Sequence, residues 1–456
     1  MSTPTFQKRT RSIPFRGLAH VVGLAAAAAA LEAPARAAPD GLDPADEAAL
    51  VAEARLPTIL RVVGARSAEI GEAAARAAAS EARARAAARL PDPELKGELW
   101  GVPLARPLAF RDSDTIMLGL RQALPAWGTR DARERAARED AAAAGDALEA
   151  RRREVAAEAR RAFAFYARAD REARIHLEHA GLTSRIVDVA RSLYDVGRGS
   201  QQELLEAQVE LSRLHLDIAG VEQQRASARA LLNALMRRDP DAPLGPPPDG
   251  DVAAVGTAPA RSVEQDDARV DERPELRAAS RAVARSAAAL DLARREANLP
   301  ALMVGADYWY MPMAETHHGY GAMVTMSLPW LNPRRRDEVV AAERVEAAER
   351  RALDSQRVAA RYQLRDADAK RRAAREVLSL LHGRVVADSR RAFESAEAQY
   401  RAGRGGVGAV LASARRYLQV RLDEVRALAD LETSEANYAL AAGLSPAAAL
   451  GAGGRP

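Results

Sequence analysis

The hydrophobic and polar residues of this chain follow a helical period over most of its length. Runs without proline, rich in alanine, arginine and glutamate, predict helices that are long for a protein of 456 residues. Six helices are predicted, at 57–89, 130–194, 201–237, 274–297, 337–400 and 407–442. In the helix at 201–237 the apolar residues form a narrow stripe, which favours helix-on-helix packing over a wide core.

Four short segments between these helices alternate between apolar and other residues, as β-strands do. They lie at 98–110, 114–125, 301–312 and 319–331. Alternation over about ten residues is the weak signature of a membrane β-barrel strand, although a small soluble sheet gives the same pattern. All four tryptophans lie in or beside these segments, as expected for an interfacial aromatic girdle: Trp100, Trp127, Trp309 and Trp330. Because a barrel needs about eight strands, the chain must oligomerise to form one, and three copies would supply twelve.

The same series of elements occurs twice, at an offset of 206 residues. Tyr194–Gly199 recurs as Tyr400–Gly405, and the pair Arg130-Asp131 recurs as Arg336-Asp337. Several matches at one offset indicate a duplication. The predicted organisation is a first repeat at 38–237, a proline-rich linker at 238–272, a second repeat at 273–443 and a tail at 444–456. Each repeat holds a helix, a strand pair, a long helix and a return helix.

Residues 1–37 have the pattern of an export signal. A basic stretch, Lys8–Arg16, precedes the uncharged segment Leu18–Leu31 and the small-residue site Ala35–Ala37. The uncharged segment is too short for a membrane anchor, which needs about 18 apolar residues. This signal holds five basic residues and one acid, so it accounts for the whole net charge of +4. The remaining chain is neutral, and no nucleic acid is expected as a partner.

The sequence contains no motif that would indicate an enzyme. It has no phosphate-binding glycine loop, no His-Glu-x-x-His pair and no convincing set of nucleophile and base. It also has no cysteine, which excludes disulfides and thiolate chemistry. Neither catalysis nor a cofactor is therefore predicted.

Several motifs resemble the TolC-type outer membrane factors, which are the exit ducts of tripartite efflux and secretion systems. Leu120–Pro125 and Ser327–Pro329 each close a strand before a long helix. The turn Tyr-x-x-Gly-x-Gly is followed by a helix containing Leu205–Gln208, and Arg273–Leu276 opens the second repeat. The resemblance covers nearly all of the chain after residue 37, and the duplicated arrangement is more specific than any single motif.

The resemblance implies a fold that is mainly α with a membrane β-barrel, built from two tandem repeats of long helical hairpins plus four strands per chain. A homotrimer would form a 12-stranded barrel in outer-membrane lipid, continuous with a periplasmic α-helical tunnel. The linker at 238–272 would lie near the tunnel's equator, with the tail. The implied partners are a periplasmic membrane-fusion adaptor and an inner-membrane pump of the resistance-nodulation-division type. The alternative is a periplasmic coiled-coil adaptor, which should carry one hairpin and a lipoyl-like β-module.

The two glycine-rich turns are the first candidate site. They comprise Gly197, Arg198, Gly199 and Ser200 in the first repeat, and Gly403, Arg404, Gly405 and Gly406 in the second. Any sharp helical hairpin needs glycines that can adopt positive φ, but the paired arginines are harder to explain as turn residues. The resemblance implies that these turns form the periplasmic tip, which gates the tunnel and docks the adaptor.

Glu203 and Tyr400 are the candidates for the gate. The resemblance places acidic residues just past the tip and facing the pore, and Glu203 fits that position. Its equivalent in the second repeat is Ala409, so an acidic ring on the second hairpin is not expected. A hydrogen bond between Tyr400 and Glu203 would close the tip as a latch; the alternative is that they are unrelated surface residues.

Methionines and histidines are concentrated near the third and fourth strands. Four of them lie at the loop that is predicted to be extracellular: Met311, Met313, His317 and His318. Thioether and imidazole groups suit copper and silver ions, and the pattern is similar to metal-efflux members of the family. The alternative is methionines that fill barrel faces beside a chance histidine pair. His176 and His179, one turn apart among arginines, are expected on a solvated helix face.

Overall fold

Long helices dominate the structure, a computed structural model that describes residues 42–102, 113–248, 262–312 and 314–444. Within these residues the helices are α1 (Pro44–Ala52), α2 (Leu56–Arg66), α3 (Ala68–Ala87), α4 (Thr129–Asp195), α5 (Gln201–Leu235), α6 (Val263–Ala268), α7 (Pro274–Asn298), α8 (Arg334–Leu380), α9 (Val386–Arg401) and α10 (Val407–Ala441). The strands are β1 (Glu94–Trp100), β2 (Thr115–Leu124), β3 (Leu302–Tyr310) and β4 (His318–Met326). The predicted signal at 1–37 lies outside the described residues, as does the tail beyond Leu444.

The structure differs from the predicted elements in both strands and helices. The strand predicted at 98–110 is β1 at Glu94–Trp100, and within the segment predicted at 319–331, Pro329–Leu331 forms a 3-10 helix. The helix predicted at 57–89 is divided into α2 and α3, because Ser67 caps α3 by accepting a hydrogen bond from the Ile70 N–H (3.5 Å). The helix predicted at 337–400 is interrupted by a π-helical turn, Leu381–Val385, which joins α8 to α9. The helices α1 and α6 were not predicted, and α6 lies within the linker.

The helix boundaries recur at the offset found in the sequence. The helices α5 and α10 each have 35 residues, and both their first and last residues are 206 positions apart. Each is followed two residues later by a residue with positive φ, Arg237 at 52° and Gly443 at 67°. The starts of α3 and α7 are separated by the same 206 positions. The two repeats therefore share local backbone geometry as well as residues.

Sheet and helices are arranged in one lateral order. The strands are neighbours in the order β1-β2-β3-β4, and every pair is antiparallel. Beside the sheet, α3 packs on α4, α4 on α7, and α7 on α8. Nearer the hairpin turns, α5 packs on α4, α4 on α10, and α10 on α8 and α9. One lateral edge is thus formed by β1, α3 and α5, and the other by β4, α8 and α9.

One face of the sheet is apolar and exposed. Leu118, Tyr308 and Tyr320 lie opposite one another on neighbouring strands, and Tyr320 is 91% exposed. Trp309 lies on the opposite face because side chains alternate along a strand, and a Cβ on Gly321 would be 2.2 Å from its ring. Trp309 thus lies on the face of the sheet opposite Tyr308 and Tyr320, as the alternation in the sequence predicted.

Apolar clusters hold the two hairpins together. We call α4 with α5 hairpin 1, and α8, α9 and α10 with the π-helical turn hairpin 2. Near the turns, Val187 and Ala207 of hairpin 1 pack with Phe393 and Val410 of hairpin 2. Further from the turns, a second cluster joins the same hairpins: Ile175, Ala180, Leu214, Leu418, Leu422 and Val425. In the described part of the chain, no helix combines the length and apolar composition needed to cross a membrane.

The described parts of the linker lie against the middle of the long helices. In the first part, the Tyr166 hydroxyl of α4 donates a hydrogen bond to the Gly245 carbonyl (2.9 Å). In the second, α6 is fixed to hairpin 2 because the Tyr438 hydroxyl donates to Asp266 (2.6 Å). Arg365 of α8 forms a further ion pair with Asp267 (3.2 Å). Both repeats are therefore tied to the linker at mid-height.

Candidate functional site

The two hairpin turns have the same backbone conformation. Gly197 has φ of 71° and Gly403 has φ of 67°, a region that side chains with a Cβ rarely adopt. The Arg198 N–H donates to the Leu193 carbonyl (2.8 Å), and the Arg404 N–H donates to the Gln399 carbonyl (2.9 Å). These bonds satisfy carbonyls at the end of each descending helix and reverse the chain. Glycine is thus required at 197 and 403 by geometry.

The turns lie side by side at the end of the hairpins. The guanidinium of Arg198 is 3.6 Å from the place that a Cβ on Gly403 would occupy. Arg198 and Arg404 are both exposed, and among the described residues neither side chain makes a hydrogen bond or an ion pair. The structure therefore presents two unpaired cations at this end of the molecule.

Glu203 connects the two hairpins through backbone groups. Its carboxylate accepts from the Ser200 N–H (3.1 Å), while the Ser200 hydroxyl accepts from the Glu203 N–H (3.2 Å), which is a capping box. The second carboxylate oxygen accepts from the Val407 N–H (3.5 Å), in the first turn of α10. Gly406, at the cap position of α10, has no side chain to accept this bond. One carboxylate thus caps two helices.

Tyr400 is buried below the turns, and its predicted bond to Glu203 is absent. The ring is 3% exposed and packs in the apolar cluster near the turns. Its hydroxyl has no hydrogen-bond partner among the described residues. Burial, with a smaller effect of the Glu203 charge, raises the pKa of Tyr400. Tyr400 and Glu203 are therefore close, but the link between the hairpins is made by Glu203 and Val407.

A groove between α5 and α10 begins beside the turns and was not predicted from the sequence. It has a volume of about 690 Å³, and its lining combines apolar, polar and charged side chains. Leu205, Val209 and Leu411 give it apolar walls. Arg415 of α10 and Glu210 of α5 form a bidentate ion pair beside it, with one N–O distance of 2.6 Å. Leu205 and Val209 are half-exposed on α5. Their spacing of four residues, which places both on one side of the helix, is the sequence signal for this groove.

A polar seam that sequence reasoning missed lies in the interior of the hairpins. His176 and His179 are 6% and 3% exposed, so the expectation of a solvated helix face is wrong for both. One nitrogen of each ring and the hydroxyl of Thr183 are buried without a hydrogen-bond partner in the described part of the chain. The neighbouring arginines point from other faces of α4, which is why composition alone was misleading.

Three of the four metal candidates near the strands lie in the described part of the chain: Met311, His317 and His318. The Tyr308 hydroxyl lies 2.5 Å from Nδ1 of His318, and Nδ1 of His317 lies 3.2 Å from the Met311 carbonyl. Met313 lies outside the described residues. Across the described ranges, no group of three histidine, aspartate or glutamate side chains is suited to hold a metal ion.

Comparison with known proteins gives one family and several similar folds. The sequence model described as outer membrane efflux protein matches residues 59–236 and 268–444. No curated protein matches the chain significantly. The fold is similar to the outer membrane protein VceC from Vibrio cholerae, at 17% identity and a TM-score of 0.73 over 86% of this chain and 96% of that one.

Two further solved structures share the fold. For the CmeC outer membrane channel of Campylobacter jejuni the identity is 14% and the TM-score 0.71, over 85% of each chain. For the open state of the MtrE outer membrane channel of Neisseria gonorrhoeae the values are 18% and 0.68, over 86% of this chain and 89% of that one. Each of the three likenesses covers at least 85% of this chain.

Proposed function

Because the chain belongs to the outer membrane efflux protein family, we propose that three copies form the outer-membrane channel of a tripartite efflux system. In this proposal the channel is a passive exit duct. A periplasmic membrane-fusion adaptor docks at the hairpin turns, and an inner-membrane pump of the resistance-nodulation-division type supplies the substrate. The match of the family to both repeats favours a channel over the alternative, a periplasmic adaptor with one hairpin.

The observation that carries the proposal is that both lateral edges of the described chain are uncovered, in the sheet and along the long helices. Among the described strands, β1 and β4 each pair on one side only. A single sheet with two unpaired edges and an exposed apolar face is a poor free-standing unit. If β4 of one copy pairs with β1 of the next, no edge is left unpaired and the apolar faces form one continuous outer surface. Three sheets of four strands would close a 12-stranded barrel.

The helical edges carry matching apolar stripes. On α5, the exposed apolar residues recur at helical spacing: Leu205, Val209, Leu216 and Leu231. On α8, at the opposite edge, a second group is exposed: Val358, Tyr362, Val377 and Leu380. Two different surfaces on opposite edges form a head-to-tail contact, which generates a ring when the rotation closes. The helices thus support the same assembly as the strands.

The assembly is tested by charging the stripe on α5. The double variant Leu216→Asp with Leu231→Asp should lose the trimer, because each copy would bury two carboxylates at a contact. The control is Ala219→Asp with Ala226→Asp, two exposed residues of the same helix that lie outside the stripe. Native mass spectrometry in detergent should give a trimer for the wild type and the control, and smaller species for the leucine variant. A monomeric wild type, or a trimeric leucine variant, would contradict the proposal.

Copper or silver ions are the proposed cargo class, supported by the thioether and imidazole groups near the extracellular end of β3 and β4. The imidazoles of His317 and His318 are exposed, and Met311 lies in the same loop. A variant with Met311→Leu, His317→Gln and His318→Gln should lower copper and silver resistance while the amount of trimer stays constant. Unchanged resistance would count against a metal contact at this loop.

A further inference from the structure

Three histidines lie at one level of the hairpins, on both sides of α10. His176 and His179 are on α4, which packs against α10 from hairpin 1. His382 lies in the π-helical turn of hairpin 2, and its Nδ1 is 2.6 Å from the carboxylate of Glu424 on α10. His382 is 206 positions after His176, so the two occupy equivalent places in the repeats. Their surroundings differ: His176 is buried between hairpins, whereas the side chain of His382 is 80% exposed.

The buried pair lies beside the ion pairs that join the hairpins. Glu210 of α5 binds Arg415 of α10, and Glu172 of α4 binds Arg426 of α10 (3.0 Å). Both carboxylates are at least nine-tenths buried. Glu172 also pairs with Arg168 on its own helix (3.4 Å). These two ties between the hairpins therefore depend on buried carboxylates that are already bound to arginine.

The groups that face the two histidines come from all three packed helices. His176 faces Glu172 on its own helix, Asp217 on α5 and Arg426 on α10. His179 faces Glu210 on α5 and, one turn away on α4, His176. A proton on either ring places a further cation beside a carboxylate already bound to arginine, and the cations then compete for it. Two charged histidines one turn apart also repel each other.

We propose that protonation of His176 and His179 releases hairpin 2 from hairpin 1, while His382 and Glu424 keep hairpin 2 together, so that acid moves hairpin 2 as one unit. Within hairpin 2, α10 remains packed on α8 and α9, and none of these contacts involves His176 or His179. The movement of hairpin 2 does not depend on the proposed function; only an effect of this movement on conductance through the channel rests on it.

The direction of the effect follows from burial. Burial lowers the pKa of His176, and it lowers the pKa of His179 to about 4, from an ordinary value of 6.5. Separation of the hairpins exposes the rings and returns their pKa towards 6.5, so the separated state binds more protons between pH 6.5 and 4. His179 can shift the ratio of separated to packed hairpins by up to about tenfold per pH unit in that window, and His176 acts in the same direction. Above pH 6.5 both rings are neutral in either state and the packed arrangement is retained.

The test is a distance measurement on the intact protein, which has no native cysteine to interfere with labelling. Spin labels at Gln202→Cys and Ala412→Cys report the separation of α5 and α10, across the hairpins. Labels at Ala398→Cys and Ala412→Cys report the separation of α9 and α10, within hairpin 2. Labelled protein is diluted with unlabelled protein, so that each assembly carries one labelled copy. Pulsed dipolar spectroscopy at pH 7.5 and pH 5 should show the first distance lengthening by several ångströms and the second unchanged.

Variants assign the response to the histidines. His176→Gln with His179→Gln keeps polar side chains that do not titrate, and it should abolish the shift while leaving the pH 7.5 distance unchanged. His179→Gln alone should reduce the shift, and it serves if the double variant does not fold. The matched control is His215→Gln, an exposed histidine on α5, which should respond as the wild type does. A wild type without a pH shift, a shift that persists in the double variant, or equal movement of both label pairs would overturn the proposal.

Conductance separates this inference from the proposed function. If hairpin 2 moves at pH 5 and the reconstituted protein also conducts more, both stand. Movement without any conductance at either pH supports the inference and contradicts the channel. Conductance that rises at pH 5 without movement of the labels contradicts the inference alone.

Discussion

A single carboxylate, that of Glu203, caps the amino ends of two helices that belong to different hairpins. Glu203 completes a capping box on α5 and also accepts from the Val407 N–H of α10. A side-chain cap is worth about 1 kcal/mol to a helix end. Because Gly406 supplies no side chain at the cap of α10, the first turn of that helix depends on hairpin 1. The hydrogen bond that caps α10 is thus also a contact between the two hairpins.

Glu203→Ala should therefore loosen the start of α10 as well as the start of α5. A loss of about 1 kcal/mol corresponds to roughly fivefold faster amide exchange in each first turn. The matched control is Glu206→Ala, which removes an exposed carboxylate bound only to Gln202, one turn away on the same helix. Hydrogen exchange read by mass spectrometry checks both turns. Faster exchange confined to α5 would show that the bond to Val407 contributes nothing.

The residues of the turns were predictable, whereas the roles of their neighbours were not. Glycines before an apolar helix indicate a helical reversal, and the structure gives Gly197 and Gly403 the positive φ that this requires. The missing Tyr400–Glu203 bond and the burial of His179 depend on how α4, α5 and α10 pack. That packing joins residues more than 200 positions apart, and no local pattern records it.

At the scale of elements, α6 is a short helix held in place by buried polar contacts. The Tyr438 hydroxyl, within a 1% exposed side chain, donates to Asp266 of α6. The guanidinium carbon of Arg371 lies 3.5 Å from the centre of the Tyr438 ring, and Arg371 is also bonded to Asp368. Burial, reinforced by Asp266, raises the pKa of Tyr438. The linker is thereby fixed to α8 and α10.

Tyr438→Phe should detach α6 because it removes this donor and leaves a buried carboxylate with one partner fewer. Such a loss costs about 1–3 kcal/mol. Amide exchange in α6 should accelerate by roughly 5- to 150-fold, with α5 unaffected. Tyr362→Phe is the matched control, since that tyrosine is 70% exposed on α8. Equal exchange in the two variants would mean that the hydroxyl does not hold α6.

Element boundaries were predictable to the extent that they depend on local signals. Proline at the start of α7 and glycine before α5 and α10 mark helix ends in the sequence. The π-helical turn Leu381–Val385 contains no proline, and its single glycine is tolerated within a helix. Its position beside Glu424 is a tertiary feature. The helix α6 has only six residues, too few for a period to be read.

For the whole molecule, the internal duplication explains why strands and helices share one lateral order. Each repeat supplies two neighbouring strands and the helices beneath them, so two repeats side by side give four strands over four helices. The four strands of the sheet were predictable from the alternation in the sequence. The exposed stripes on α5 and α8 became visible only once packing showed which apolar residues the chain itself leaves uncovered.

The arginines at the turns can be tested only in the whole assembly. Arg198 and Arg404 are exposed and unpaired within the described chain, and they lie at the end of α4, about 100 Å from the end that joins the sheet. In the proposed complex, these two unpaired cations would pair with acidic or carbonyl groups on the docked adaptor. Arg198→Glu with Arg404→Glu should therefore abolish efflux in a complemented deletion strain, while the trimer still reaches the outer membrane.

Charge reversal is a sharper test than replacement of the arginines by alanine. The introduced glutamates would repel acidic groups on the adaptor, and like charges at a contact cost more free energy than a missing pair. The control is Arg185→Glu with Arg416→Glu, which reverses two exposed arginines of α4 and α10 away from the turns. Susceptibility to efflux substrates should rise several-fold for the turn variant and stay at the wild-type level for the control. Chemical cross-linking of the adaptor should be lost in parallel. Wild-type resistance in the turn variant would show that docking does not use these arginines, and equal loss in both variants would indicate an effect of net charge.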